Sequence, residues 1–473
     1  MIPDRFAPVL TELAPLAALF AEAGHRLYLV GGTVRDLMVD SQPSEHDLDL
    51  TTDARPPEIK ACLTGWAEAI WTQGERFGTI GAKFGDRTYE ITTFRAESYS
   101  DDSRKPHVIY ADDIETDLGR RDFTVNAMAL ELTSGGAPVL VDPHGGAVDL
   151  LNKVLRTPLG PDISFSDDPL RMLRAARFIA GYELQPTDQL VAAVADMAAR
   201  LEIVSAERIR DELDKLITIE HPAAGLWFLY DTGLSAQFLP ELAAMRLEHD
   251  PIHRHKDVLT HTIAVVENVR PAVEQPKGHA PFDFRVVRLA ALFHDVGKPL
   301  TRGHHEGKGT TFHHHDAVGA RITKKRMTAL RYSNDDVAKV TALVALHLRF
   351  HTYRLGWSDS AVRRYVNDAG DLLHELNVLT RCDCTTRNER KAKHLSSRMD
   401  ELQERIEVVA EAEVLAAIRP ELDGKAVMDQ LGLTPGREVG EALRFLLEIR
   451  LDEGLIGEAE AKARLDSWWS QRP

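Results

Sequence analysis

The stretch Leu27-Tyr28-Leu29-Val30-Gly31-Gly32-Thr33-Val34-Arg35-Asp36, continued by Asp47-Leu48-Asp49-Leu50-Thr51-Thr52, decides how the first third of this chain folds. Residues 27–30 are an apolar β-run bounded by glycine. Gly31 and Gly32 follow it, where a backbone without Cβ atoms can come close to a ligand. Arg35 lies about one helical turn further on, able to pair with phosphate oxygens. In a second strand Asp47 and Asp49 are separated by one residue, so the period of two points both carboxylates to one face of a sheet. Paired oxygen ligands of this kind suit Mg²⁺, which takes carboxylates, waters and substrate phosphates. Alone, a glycine pair is a turn and Asp-x-Asp a solvated strand face; the order and spacing of the elements carry the argument.

Composition sets the frame. A chain of 473 residues forms two or more domains. With 44% hydrophobic and 27% charged residues it reads as an ordinary soluble protein. No apolar run reaches membrane length, and the opening MIPDRFAPVL lacks a basic, apolar signal region, so a cytoplasmic location without membrane contact is expected. Cys62, Cys382 and Cys384 do not make a disulfide framework or a zinc ribbon. A net charge of −16 argues against nucleic-acid binding by bulk charge. From Arg321 to His394, however, Lys and Arg outnumber Asp and Glu by 15 to 8, and the chain after Asp400 is strongly acidic. A basic face on an acidic protein is therefore available for RNA, with an affinity that falls steeply with salt.

The pattern V-G-G-x-V-R-D followed by D-x-D resembles motif A of the class II tRNA nucleotidyltransferase and bacterial poly(A) polymerase family. The resemblance runs on in order over about 190 residues. Glu75-Arg76-Phe77-Gly78-Thr79-Ile80 is similar to a family turn, and YEITTFR from Tyr89 to the next core strand, which makes Glu90 the implied third carboxylate. RRDFTVNAMAL from Arg120 resembles the ribose-recognising motif, with Arg121, Asp122 and Asn126 as its polar contributors. Asp142-Pro143, Gly145-Gly146 and Asp149-Leu150 resemble the hinge between head and neck. DDPLRMLRAARF from Asp167 resembles the base-reading motif, with Asp167 where the family usually has Glu, and ERIRDELDKLI from Glu207 the helix that braces the nucleotide pocket. FRAESYSDDSRKP, from Phe94 to Pro106, resembles the flexible loop kept by A-adding members.

The resemblance implies that Asp47, Asp49 and Glu90 hold Mg²⁺ for an in-line transfer of a nucleotide to a 3′-hydroxyl. Gly31 and Gly32 would approach the triphosphate, and Arg35, Arg121, Arg174 and Arg177 would neutralise it or form ion pairs. Local sequence makes Asp168 a helix cap, with Pro169 in the first turn and Arg171 three residues on, sharing a face. An acceptor beside a fork of donors also matches the Watson–Crick edges of cytosine and adenine, each with an exocyclic amine beside a ring acceptor. Uracil and guanine present the reverse order. One protein template would then take CTP and ATP and reject UTP and GTP.

A second constellation lies downstream. His261 falls in LTHTIAVVENV, His294-Asp295 closes RLAALFHDVGK, His315 follows in HHHDAVGA, His347 in ALVALHLRFH and Asp383 in LTRCDCTTRN. The H-D-V-G-K segment resembles the HD phosphohydrolase superfamily. That resemblance implies His261, His294, Asp295 and Asp383 as core ligands, with His315 and His347 available for a second ion. Mixed imidazole and carboxylate donors suit a divalent transition metal of unspecified identity. His313 to His315 also reads as partly solvated surface.

Before residue 150 short β-branched runs alternate with turns; after it, apolar spacing is helical nearly to the end. The expected fold is α+β: a nucleotidyltransferase head with a mixed sheet (1–150), a helical neck (151–245), an HD domain (246–395) containing a loop at 271–284, and a helical tail (396–473). The expected activity is addition of CCA to tRNA from CTP and ATP. The alternatives are a poly(A) polymerase, a CC-adding specialist, or an enzyme acting mainly as an HD phosphohydrolase.

Overall fold

The computed structural model describes residues 3–39, 47–100, 103–133, 137–247, 257–271, 282–305, 309–352, 358–385, 389–413 and 419–472. It divides into two compact units, Met1–Ala243 and Ala244–Pro473.

The first unit opens with helix α1 (Ala7–Glu22), whose Val9, Leu13, Leu16, Ala17 and Phe20 are buried at helical spacing. Strand β1 (Leu27–Val30) leads through Gly31 into α2 (Gly32–Met38), and β2 is Asp47–Thr52. After α3 (Pro56–Leu63) come β3 (Ala69–Trp71), β4 (Thr79–Phe84) and β5 (Arg87–Thr93). These strands join β8 (Ala129–Glu131) and β9 (Val139–Val141) in a seven-stranded sheet of order β3-β4-β5-β2-β1-β8-β9. The sheet is mixed. Only β2 and β5 run parallel, while β1 is antiparallel to both β2 and β8. In β2 the expected alternation holds: Leu48 and Leu50 are buried and Asp47 and Asp49 are exposed. Tyr28, Val30 and Phe94 form a cluster with Ile114 and Leu118 of α4 (Ile114–Gly119) and with Ala127 and Ala129.

Between β5 and α4, the segment read as a flexible loop has backbone paired as an antiparallel hairpin, β6 (Arg95–Ser100) with β7 (Ser103–Tyr110). Cross-strand pairing satisfies the backbone polar groups that an open loop would leave to water. Its tip, residues 101–102, lies outside the described residues, as do 272–281 of the loop expected downstream.

Short helix α5 (Gly146–Leu151) starts on Asp142, whose carboxylate accepts from the backbone N–H groups of Gly146 at 2.7 Å and Ala147 at 3.0 Å. Gly146 is required here, because a Cβ would sit 2.1 Å from the Thr124 carbonyl oxygen. Helices α6 (Pro161–Asp167), α7 (Leu170–Tyr182), α8 (Asp188–Met197), α9 (Ala206–Ile217) and α10 (Ala223–Asp231) follow in the same unit. Gly225 lets α10 lie against the α7 backbone: a Cβ there would meet the Ala176 carbonyl oxygen at 2.5 Å.

The second unit is helical, apart from a small hairpin of Arg302–His305 with Gly309–Phe312. Helices Val258–Asn268, Phe284–Phe293, His315–Ala329, Asn334–Leu346 and Leu373–Cys382 build its first part. Three terminal helices, Gly424–Leu431, Arg437–Glu453 and Glu458–Ser470, pack around Leu422, Val427, Leu446 and Leu465. No helix among the described residues is long and apolar enough to cross a membrane.

Candidate active site and metal centre

The head site is built on strand register. Asp49 of β2 lies directly beside Glu90 of β5, and Asp47 is two residues back on the same face. Although the side chains of Asp49 and Glu90 both reach the surface, the protein around them strips part of their hydration. That loss, followed by Asp49 and Asp47, raises the Glu90 carboxyl above its ordinary range, and it raises Asp49 as well, against the pull of Arg121 and with the push of Asp47. Three acceptor-only groups crowd one another here, an arrangement that fits a hard divalent cation. Gly31 supplies the approach. Its φ of 74° favours glycine, and a Cβ would lie 3.3 Å from Asp49 Oδ2 and 3.5 Å from Arg121 Nη1.

Arg121 is held by Asp117, which is fully buried on α4 and pairs with Arg120 at 2.8 Å and Arg121 at 3.3 Å. Burial pushes the Asp117 carboxyl up, and the two guanidiniums outweigh it, so the net shift is downward. The Arg121 Nε is buried without a hydrogen-bond partner, while its Nη1 is the guanidinium nitrogen that lies beside Gly31.

Arg35 differs from the simple phosphate-facing reading. It is buried, donates to Asp36 at 2.8 Å and to Asn126 Oδ1, and lies over the rings of Tyr182 at 4.2 Å and Phe178 at 5.1 Å. The polar chain continues from there. Asn126 donates to Asp122 at 2.9 Å, and Arg174 Nε donates to the other Asp122 oxygen at 2.8 Å. Buried Glu212 on α9 then accepts from Arg177 at 2.9 Å and lies 3.6 Å from Arg174. Burial raises Asp122, but Arg174 and Asn126 overcome this and bring it down to about 2. The sequence-predicted residues Arg35, Asp122, Asn126, Arg174 and Arg177 thus form one network, closed by Glu212.

The two base-reading candidates do not bond to each other through their side chains. Pro169 is the residue that caps α7, so Asp168 sits one position before the cap. Its Oδ1 accepts from the Leu170 N–H at 3.1 Å and its Oδ2 from Arg208 at 2.7 Å. Arg171 is buried, donating to Ser164 Oγ at 2.9 Å and to the Arg120 carbonyl. Arg208, Glu212 and Asp117 were not singled out in the sequence. Their pattern there is that of solvated helix charges, and only the long-range pairing distinguishes them.

The second unit gathers all six expected ligands. His261, His294 and Asp383 form one group and Asp295, His315 and His347 another, the ligand atoms within each lying no more than 4.8 Å apart. Asp295 faces both. Its Oδ2 is 3.2 Å from His294 Nε2 and 3.5 Å from His261 Nε2, and its Oδ1 is 3.4 Å from His315 Nε2 and 4.0 Å from His347 Nε2. Nδ1 of His294, His315 and His347 lies 2.7 Å from the carbonyls of Ala291, Phe312 and Val344, and His261 Nδ1 is 2.8 Å from Thr385 Oγ1. Donation to those carbonyls turns Nε2 of these three rings toward Asp295, the nitrogen each ring would offer to a metal. His313 and His314 are exposed, as the solvated reading expected.

Burial raises Asp295 and Asp383, yet the surrounding imidazoles, with Lys298 for Asp295, hold both well below the usual carboxylate range. Burial lowers His294, and Asp295 and Asp383 reverse this to lift it to about 10. His347, buried beside His294, falls to about 4. Gly297 sets the spacing: a Cβ would lie 2.1 Å from the His315 carbonyl oxygen.

A carboxylate-bearing mixed sheet followed by a helical arginine network, with a separate His/Asp centre, defines a nucleotidyltransferase carrying an HD domain. Comparison with known proteins agrees. Residues 27–156 match the poly A polymerase head domain, 183–246 the probable RNA and SrmB-binding site of polymerase A, and 258–388 the HD domain. The chain is 34% identical over 452 residues to the A-adding tRNA nucleotidyltransferase of Deinococcus radiodurans, covering 94% of this chain and 96% of that one. It is 32% identical over 449 residues to the CC-adding tRNA nucleotidyltransferase of Thermus thermophilus, covering 93% of each. To the CCA-adding enzyme of Bacillus subtilis it is 39% identical over 229 residues, 48% of this chain and 55% of that one. The CTP complex of the Bacillus stearothermophilus CCA-adding enzyme shares its fold, with a TM-score of 0.68 at 22% identity over 99% of both chains. The chain belongs to the tRNA nucleotidyltransferase and poly(A) polymerase family, and it is a nucleotidyltransferase.

Proposed function

We propose that this protein adds CCA to the 3′ end of tRNA in the cytoplasm, using CTP and ATP and releasing pyrophosphate. The observation that supports this best is the register of Asp47, Asp49 and Glu90 beside Gly31 and Arg121. Asp47, Asp49 and Glu90 would hold Mg²⁺, which supplies charge stabilisation of the phosphoryl oxygens and activation of the attacking hydroxyl when bound. The Gly31–Gly32 backbone admits the triphosphate, Arg121 neutralises it from the Asp117 side, and Asp122 and Asn126 present polar groups to the ribose. Asp168 accepts the amine of cytosine or adenine. Arg171 donates to the ring acceptors, exchanging its contacts with Ser164 and Arg120 to do so. The HD centre would bind a divalent transition metal through His261, His294, Asp295, His315, His347 and Asp383, and support phosphohydrolysis at RNA ends.

The full-length relatives named for A and for CC addition motivate a second reading, that this chain performs only part of the sequence. Three acceptors separate the possibilities: tRNA lacking its 3′ end, the same tRNA ending in C-C, and an unstructured RNA, each with every NTP in turn. CCA addition expects C, C and A on the first and A on the second. An A-adding enzyme extends only the second, a CC-adding one stops on it, and sustained A addition to unstructured RNA overturns the tRNA reading. The template has its own test. Arg171→Ala should let UTP or GTP gain on CTP by roughly tenfold or more, as expected for about 1–3 kcal/mol of unpaired polar burial. Equal slowing of all four nucleotides overturns it.

A further inference from the structure

We propose that Trp71 of β3 is a stacking platform for the 3′-terminal nucleobase of the RNA acceptor, set on the flank of the carboxylate site opposite the one that takes the triphosphate. The proposal rests on the reading of this protein as an RNA-extending nucleotidyltransferase and holds for tRNA and for other RNA alike. Strand register carries it. Asp49 pairs with Glu90, Glu90 with Gly81 and Gly81 with Trp71, so the four stand in one row across β2, β5, β4 and β3. Directly paired residues share a sheet face, which puts Trp71 on the face of Asp47, Asp49 and Glu90. Gly81 brings no side chain to the row, and the indole takes the space: a Cβ at Gly81 would lie 2.0 Å from Trp71 Nε1 and 2.1 Å from Cε2. The ring therefore reaches across β4 toward Glu90. With strands about 4.8 Å apart, it stands roughly 5 Å from the Glu90 strand and 10 Å from the Asp49 strand, within the span of one nucleotide.

The side of approach follows from the chemistry. Gly31 and the Arg121 guanidinium beside it, which the reading gives to the triphosphate, lie on the β1 side of Asp49, while β5, β4 and β3 lie on the other. In an in-line displacement the attacking and leaving oxygens stand on opposite sides of the phosphorus. A pyrophosphate leaving toward Gly31 thus calls for a hydroxyl arriving over Glu90, and the base attached to that hydroxyl's ribose then comes over Gly81. A leucine would cover the glycine as well; an indole left 36% exposed on an edge strand adds a flat π-face. Base–aromatic stacking tolerates every base, which suits an acceptor whose last nucleotide changes with each addition. Exposed Lys83, two residues from Gly81 on the same face of β4, adds a cation for the RNA backbone.

The test is a steady-state cycle on the full-length protein, crossing Trp71→Leu with removal of the last base from the RNA acceptor that the protein extends. Trp71→Leu should raise the KM for the intact acceptor by about tenfold, the loss expected for one base–aromatic stack, and leave the KM for the nucleotide unchanged. Trp71→Phe, which keeps a π-face, should restore most of that loss. Removing the terminal base should raise the parent's KM by a similar factor and add nothing in Trp71→Leu, because the stack is already gone. Gly81→Ala, whose Cβ displaces the indole without deleting it, should copy the Trp71→Leu defect. An unchanged acceptor KM in Trp71→Leu overturns the proposal and leaves the nucleotidyltransferase reading standing. Equal losses in both proteins on removing the base also overturn it, since the ring then does not meet that base, and so does a rise in nucleotide KM alone. A parent that extends no RNA overturns the reading and the proposal together. Should Trp71→Leu lose its cooperative melt, Trp71→Met carries the same comparison.

Discussion

The two candidate metal sites place carboxylates in opposite electrostatic settings. In the head, Asp47, Asp49 and Glu90 stand on adjacent strands with one another as neighbours, and both Asp49 and Glu90 are pushed up. In the HD centre, Asp295 and Asp383 are surrounded by imidazoles and pulled down. A crowded oxygen set suits a hard cation, whereas an imidazole-rich set suits a softer one. The architecture follows the same division. Period-two strands hold the first site by register alone, while the second draws His294, His315, His347 and Asp383 from the ends of four helices.

The contrast can be broken most severely at the strand. Asp47→Ala should cut nucleotide incorporation by several orders of magnitude while leaving the thermal melt unchanged, because an exposed strand carboxylate carries little folding energy. Near-normal CTP and ATP addition would remove Asp47 from the chemistry. His294→Ala combined with Asp295→Ala should abolish any metal-stimulated phosphatase activity and leave incorporation largely unaltered, measured on the same preparation. Loss of both activities in a folded variant would end the two-site account.

Smaller effects probe the paired carboxylates of the first unit. Glu212→Ala leaves Arg174 and Arg177 without their shared buried partner and should cost about 3 kcal/mol in urea unfolding. Unchanged stability would mean that the network is not coupled to folding. Asp122 gives the pH dependence. Its carboxyl is held at about 2, below the ordinary 3.8, so its contribution is fully present above pH ~4 and is lost as pH falls through ~2. That contribution is about 2 kcal/mol, and the stability of Asp122→Asn should converge on that of the parent as pH falls from 5 to 2. A constant gap would show that Asp122 acts through packing alone.

How much could be read from the chain depended on the range of the interaction. Asp47 and Asp49 were legible because a two-residue period is local, and His294-Asp295 because the neighbours in sequence are also neighbours in space. Glu90 as the third carboxylate came from the family resemblance and not from any local pattern, and the place of β5 between β4 and β2, which brings it to Asp49, was not legible in the sequence at all. Arg35 shows the limit of residue type as a guide. Its guanidinium suits phosphate, but Asn126, 91 residues away, and the ring of Tyr182 occupy it. Arg208 and Glu212 look like ordinary helix charges until α9 meets α7.

Gly297 gives the HD centre a property that a ligand count does not convey. Its missing side chain lets the backbone after Asp295 touch the turn that carries His315, so the two halves of the centre share a carboxylate instead of sitting apart. The closeness of the two ligand groups is thus encoded by a hydrogen atom. A single added methyl would act as a wedge, leaving every donor in the sequence and none of the shared geometry. The chain would then keep all six donors on paper while holding them as two separate groups.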